Sequence, residues 1–137
     1  MATIYESCGQ CGREIMMNVG QSVFDQALMW HVSYCCPYCG EQLEADDRGL
    51  PPEDIRSTIL AVEGRWQLVV PATGDQKLNT IKVLRARLNL SLNEAIKLKS
   101  KMPGVVVIGT KAEVDWLRQA LSDSGVTAWI DKDRTPS

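Results

Sequence analysis

Two short repeats constrain this chain most: Cys8-Gly9-Gln10-Cys11-Gly12 and Cys36-Pro37-Tyr38-Cys39-Gly40. Two intervening residues let a tight turn aim both sulfurs at one point. The glycine after the second cysteine leaves backbone N–H groups free to turn toward the thiolates. Two such turns supply the four thiolates that tetrahedral Zn²⁺ prefers at a closed structural site. The expected ligands of one structural zinc ion are therefore Cys8, Cys11, Cys36 and Cys39. Cys35 could stand in for Cys36, although only Cys36 keeps the two-residue spacing to Cys39. A disulfide framework and a catalytic zinc are the alternatives. The first suits an oxidising compartment, and the second usually keeps one position open for water or substrate.

Between the repeats, residues 14–19 alternate Ile15, Met17 and Val19, and residues 28–34 alternate Leu28, Trp30, Val32 and Tyr34. That period of two marks half-buried strands. His31, the single histidine, falls on the polar side of the second strand and is expected at the surface. A hairpin clipped by metal at its open end resembles the zinc-ribbon family over residues 6–42, within a first module spanning 1–45. A module of about 50 residues rarely stabilises itself by apolar burial alone. It should therefore unfold without metal, whose apparent binding energy of about 10–16 kcal/mol exceeds what so small a core supplies.

Charge is unevenly distributed. Residues 1–64 carry three positive side chains against ten acids, whereas residues 75–101 carry seven positives against Asp75 and Glu94. The acidic front disfavours nucleic-acid binding through the ribbon, because phosphates reward clustered Lys and Arg. Residues 46–64 read as a linker and connecting helix. Asp46, Asp47, Gly49, Pro51 and Pro52 change the texture of the chain, and Pro52-Glu53-Asp54 opens a helix. Ile55, Ile59 and Val62 give that helix an apolar side, packed between the modules, and Gly64 ends it.

Residues 65–132 form the second expected module. Residues 66–70 are a short apolar run stopped by Pro71, with Asp75 placed to cap a helix carrying Leu78, Ile81, Leu84 and Leu88. Ser91 and Glu94 make a capping box for the next helix, and Thr110 and Glu113 make another. Residues 105–108 read as a buried strand, and residues 126–130 as the last one. The fold class is α+β: a small β zinc ribbon, then a β-α-α-β-α-β domain whose three-stranded sheet is covered by helices on one face. Residues 133–137 read as a disordered tail.

Thr73-Gly74, Lys77-Leu78, Ile81-Lys82-Val83-Leu84-Arg85, Leu90-Ser91-Leu92-Asn93-Glu94-Ala95 and the closing residues 121–126 carry a resemblance. Over residues 66–132 the chain resembles the C-terminal domain of the bacterial ribosomal stalk protein family, which recruits translational GTPases. The resemblance implies a partner face at Lys77, Leu78, Ile81, Lys82, Arg85 and Leu92. Leu88-Asn89-Leu90-Ser91 stands where the family has a glycine-rich turn, and Ile96 where it has a lysine. The family's helical dimerisation segment and hinge are replaced by the ribbon.

No serine or cysteine has a plausible base nearby in sequence, and no glycine-rich loop is built for phosphate, so an enzyme is not expected. Residues 1–20 lack the basic start and apolar run of a secretory signal, and no stretch nears the roughly 18 apolar residues of a membrane span. The expectation is a cytoplasmic, non-catalytic adaptor for an acidic protein partner, with a ribosome- or nucleic-acid-associated role as the alternative. No membrane and no small-molecule substrate are expected.

Overall fold

The computed structural model describes residues 2–133. The chain divides into two compact units, Met1–Gly64 and Arg65–Ser137.

In the first unit β1 (Ala2–Ser7), β2 (Glu14–Phe24), β3 (Ala27–Cys35) and β4 (Gln42–Arg48) form an antiparallel meander in that order. Asp25 and Gln26 connect β2 to β3, both at positive φ, 50° and 63°. A two-residue turn of that handedness matches the natural twist of paired strands. Ile15, Met17 and Val19 are buried while Glu14 and Met16 are exposed, as the alternation requires. Ala2, Tyr34, Cys8 and Cys36 share their core.

Two strands depart from the sequence reading. Residues 42–48, where acids suggest a linker from residue 46, are β4, paired with β3 from Cys35↔Gln42 to Met29↔Arg48. All seven side chains of β4 are exposed, so the ladder rather than burial defines it. β1 was likewise not expected. The helix α1 (Glu53–Glu63) does form, closed by Gly64 at φ 80°. It buries Ile55 and Ile59 in the first unit's core, whereas Val62 is exposed. The helix is thus part of the first unit's core.

The second unit runs β5 (Trp66–Val70), α2 (Asp75–Leu88), α3 (Leu92–Lys101), β6 (Gly104–Gly109), α4 (Lys111–Asp123) and β7 (Trp129–Lys132). This is the expected β-α-α-β-α-β order, with an antiparallel sheet β6-β5-β7. Leu68 and Val70 of the central strand meet Leu84, Leu98, Val114, Leu117 and Leu121 from the three helices. β6 is an edge strand, not a fully buried one: Val106 is buried but Ile108 is exposed. A β-branched run is favoured on any pleated surface, so it does not report burial on both faces. β7 begins at Trp129, three residues later than expected, because Gly125 at φ 79° and a return bond from Val126 N–H to Leu121 O first complete the helix end. Asp133 pairs with Arg65 at 3.3 Å and its N–H bonds Arg65 O, which ties it to the sheet. The remaining residues of the expected tail lie outside the described ones.

Both capping boxes are formed. Ser91 Oγ accepts from Glu94 N–H at 3.2 Å, and Glu94 Oε1 accepts from Ser91 N–H at 3.1 Å. Thr110 and Glu113 repeat the exchange in a buried setting. The bond from the Ser91 N–H, first among the causes, holds the Glu94 carboxyl below its ordinary pKa. Replacing Ser91 by Ala should lower stability by about 1 kcal/mol, read from urea unfolding followed in the second unit. Asp75 does not cap α2; Gly74 holds that place, at φ 56°.

Candidate metal centre and basic helical face

The first knuckle links β1 to β2 and the second links β3 to β4, so the meander brings both to one end of the sheet. They are built alike. Cys8 N–H donates to Arg13 O at 2.9 Å, and Gly12 N–H to Cys8 O at 2.9 Å. Cys36 N–H donates to Glu41 O at 2.8 Å, and Gly40 N–H to Cys36 O at 2.9 Å. Gly12 and Gly40 take φ 75° and 79°, left-handed values that strain a residue with a Cβ.

The sulfurs of Cys8, Cys11, Cys36 and Cys39 all lie within 4.8 Å of one another. Cys8 Sγ is 3.6 Å from Cys39 Sγ, and Cys11 Sγ is 3.7 Å from Cys36 Sγ. A tetrahedron with metal–sulfur arms of about 2.3 Å has edges of about 3.8 Å, so this donor set fits a tetrahedral cation. Cys35, the last residue of β3, is exposed and is not a member of the group. Its neighbour Cys36 is buried and is a member.

Electrostatics favour a cation here. Burial pushes the Cys36 thiol up, but N–H groups of Cys39 and Tyr38 outweigh it and bring the pKa down to about 6. At Cys39 the N–H of Glu41 favours the thiolate, yet burial and hydrogen bonds with the neighbouring sulfurs prevail and the pKa rises. Without a cation the cluster therefore resists carrying all four charges. Glu41 adds another, with Oε2 3.6 Å from Cys8 Sγ.

Tyr34 braces the site. Its hydroxyl accepts from Gly9 N–H at 3.2 Å and donates to Glu41 Oε1 at 3.4 Å, joining both knuckles. Arg13 lies over the Tyr38 ring at 4.8 Å, a second bridge between them. Such outer groups orient metal ligands, so Tyr34→Phe should weaken metal retention by about tenfold in a chelator competition.

In the second unit, Leu78, Ile81, Lys82 and Arg85 follow one another at helical spacing along α2. Leu78 is 56% exposed, and Lys82 and Arg85 are also exposed. Lys77 and Ile81 are half-buried. Leu92, in the first turn of α3, is 59% exposed and Ile96 is 58% exposed. Apolar side chains thus stand in water beside cationic ones. Asn89 ends α2 at φ 53°, doing the left-handed work of the absent glycine, which asparagine tolerates better than most residues.

The chain is similar to large-subunit ribosomal proteins. It is 33% identical over 82 residues to the large ribosomal subunit protein bL12 of Syntrophobacter fumaroxidans, covering 59% of this chain and 65% of that protein. The protein of that name from Pseudomonas aeruginosa is 39% identical over 61 residues, 44% of this chain and 50% of the relative. For Laribacter hongkongensis the figures are 36% over 66 residues, 47% and 54%. The chain therefore spans between half and two thirds of the length of these curated relatives. No protein-family model matches it. Among the described residues no helix is long and apolar enough to cross a membrane.

One cluster is not visible in the sequence. Ser22 Oγ lies 2.6 Å from His31 Nε2, and His31 Nδ1 lies 2.8 Å from Asp46 Oδ1. A serine does therefore meet a base, contrary to the expectation from sequence spacing. Only the register of β2, β3 and β4 could have shown it.

Proposed function

We propose that the protein is a non-catalytic, cytoplasmic zinc-binding adaptor that binds an acidic protein partner through the basic helices of its second unit. Cys8, Cys11, Cys36 and Cys39 hold one structural Zn²⁺, for which four converging thiolates are the typical donor set. Lys77, Leu78, Ile81, Lys82, Arg85 and Leu92 form the partner face. The observation that carries this reading is the exposure of Leu78 and Leu92 alongside Lys82 and Arg85 on consecutive helices. Apolar anchors in a segment of net positive charge suit a protein surface of the opposite sign. The resemblance to the ribosomal stalk domain, and the large-subunit ribosomal relatives, make a translational GTPase the partner class to test first.

A phosphate-binding role for the same face is the competing reading, and one titration separates them. The zinc-loaded chain is titrated with a purified translational GTPase and, separately, with generic single-stranded RNA at matched ionic strength. Saturable binding to the GTPase with weak, strongly salt-dependent RNA binding supports the proposal. Tight RNA binding without GTPase binding overturns it in favour of a nucleic-acid-associated factor.

A further inference from the structure

The outer face of the first sheet carries a chain of three functional groups. Alternation along the strands puts Ser22, His31 and Asp46 on one face. His31 lies opposite Gly20 on one side and Asp46 on the other. Ser22, two residues beyond Gly20, is its diagonal neighbour, within reach of a long side chain. The imidazole therefore bridges the strands, with Nδ1 toward the Asp46 carboxylate and Nε2 toward the Ser22 hydroxyl.

The neutral form of the imidazole is the one that can act as a base. An ionised carboxylate only accepts, so the neutral imidazole carries its proton on Nδ1 and turns the Nε2 lone pair toward Ser22. In that neutral form the Ser22 hydroxyl is the donor in the 2.6 Å contact. This is the order of nucleophile, base and orienting carboxylate that activates a serine hydroxyl. The groups are also reachable. The His31 and Asp46 side chains are 39% and 66% exposed. One row along the same face, Asn18, Ser33 and Glu44 line an open concavity of about 510 Å³.

From this geometry we propose that Ser22 is an activated acyl-acceptor site, taking short acyl groups from ester or thioester donors. Ser22 Oγ attacks the carbonyl carbon while its proton passes to His31 Nε2, and Asp46 balances the resulting imidazolium. Collapse of the adduct breaks the bond to the leaving oxygen or sulfur, which takes the proton from Nε2. The products are an ester on Ser22 and a free alcohol or thiol. The geometry accounts for activation of the hydroxyl and no more, so the product is a stable stoichiometric ester rather than turnover. The site is independent of the partner face proposed above.

The test is acetylation of the zinc-loaded full chain by p-nitrophenyl acetate, with rates mapped by peptide mass spectrometry. Ser22 should react about 10²- to 10⁴-fold faster than exposed Ser100, the range that a positioned general base supplies. His31→Gln should bring it to the Ser100 rate, and Asp46→Asn should give an intermediate rate. The comparison of Ser22 with Ser100 within the wild-type chain needs no variant, so a misfolded variant does not blunt it. Equal rates at Ser22 and Ser100 overturn the proposal. So does a His31→Gln chain that melts earlier while Ser22 reactivity is unchanged, since His31 would then serve only to fasten β4.

Discussion

Removing the metal should melt the first unit's sheet and leave the second unit folded. The ligands are not appended to a finished core; they are part of it. Cys8 and Cys36 are 3% and 1% exposed and pack with Ile15, Val19 and Tyr34. β4 contributes no buried side chain, so the second knuckle is what fixes the start of that strand. A structural zinc contributes about 10–16 kcal/mol in small ribbon-like modules, more than a core of this size offsets when the ion leaves. The second unit buries its own set, among them Leu68, Val70, Leu84 and Leu121, and should be indifferent to chelation. Amide exchange resolved by unit, before and after chelation, reads this directly. Cys36→Ser should reproduce the chelated state. Persistent protection across β2 and β3 without metal would contradict it.

Acid should do the same, with a sign set by thiolate chemistry. Metal binding displaces thiol protons, so affinity falls as pH falls. The Cys36 thiolate, poised at about 6 even without an ion, is expected to be among the last ligands to take up its proton. Metal release should therefore be complete only below that value, and raising the pH should restore binding.

The second large effect is expected from charge reversal on α2. Lys82→Glu with Arg85→Glu changes the local charge by four units on one helical face without touching a buried side chain. Like charges brought together across an interface cost several kcal/mol, so affinity for an acidic partner should fall by at least about 100-fold. The loss should shrink as salt rises, since exposed charges are screened over about 8 Å at physiological ionic strength. Leu78→Ala should weaken binding with little salt dependence, because it removes apolar contact instead of charge. Unchanged affinity in the double reversal would mean that these helices present only a solvated surface.

What the sequence showed and what it hid follow from physics. The knuckles were legible because metal geometry dictates spacing, and the spacing of Cys8 to Cys11 repeats in Cys36 to Cys39. The two capping boxes were legible because a single side-chain exchange over three residues defines each. β4 was hidden: its exposed, acidic residues leave no hydrophobic period, and pairing with β3 alone makes it a strand. The edge position of β6 was hidden for the opposite reason, since Val105, Val106, Val107 and Ile108 favour a strand wherever it lies in a sheet. Ser22, His31 and Asp46 are nine and fifteen residues apart, and only the folded register joins them.

Native mass spectrometry of the purified chain tests the central claim most directly. The account predicts one zinc ion per chain, lost together with the fold of the first unit when Cys36 and Cys39 are both changed to Ser. A metal-free chain with that unit folded, or one whose mass shows the four cysteines joined as disulfides, would contradict it.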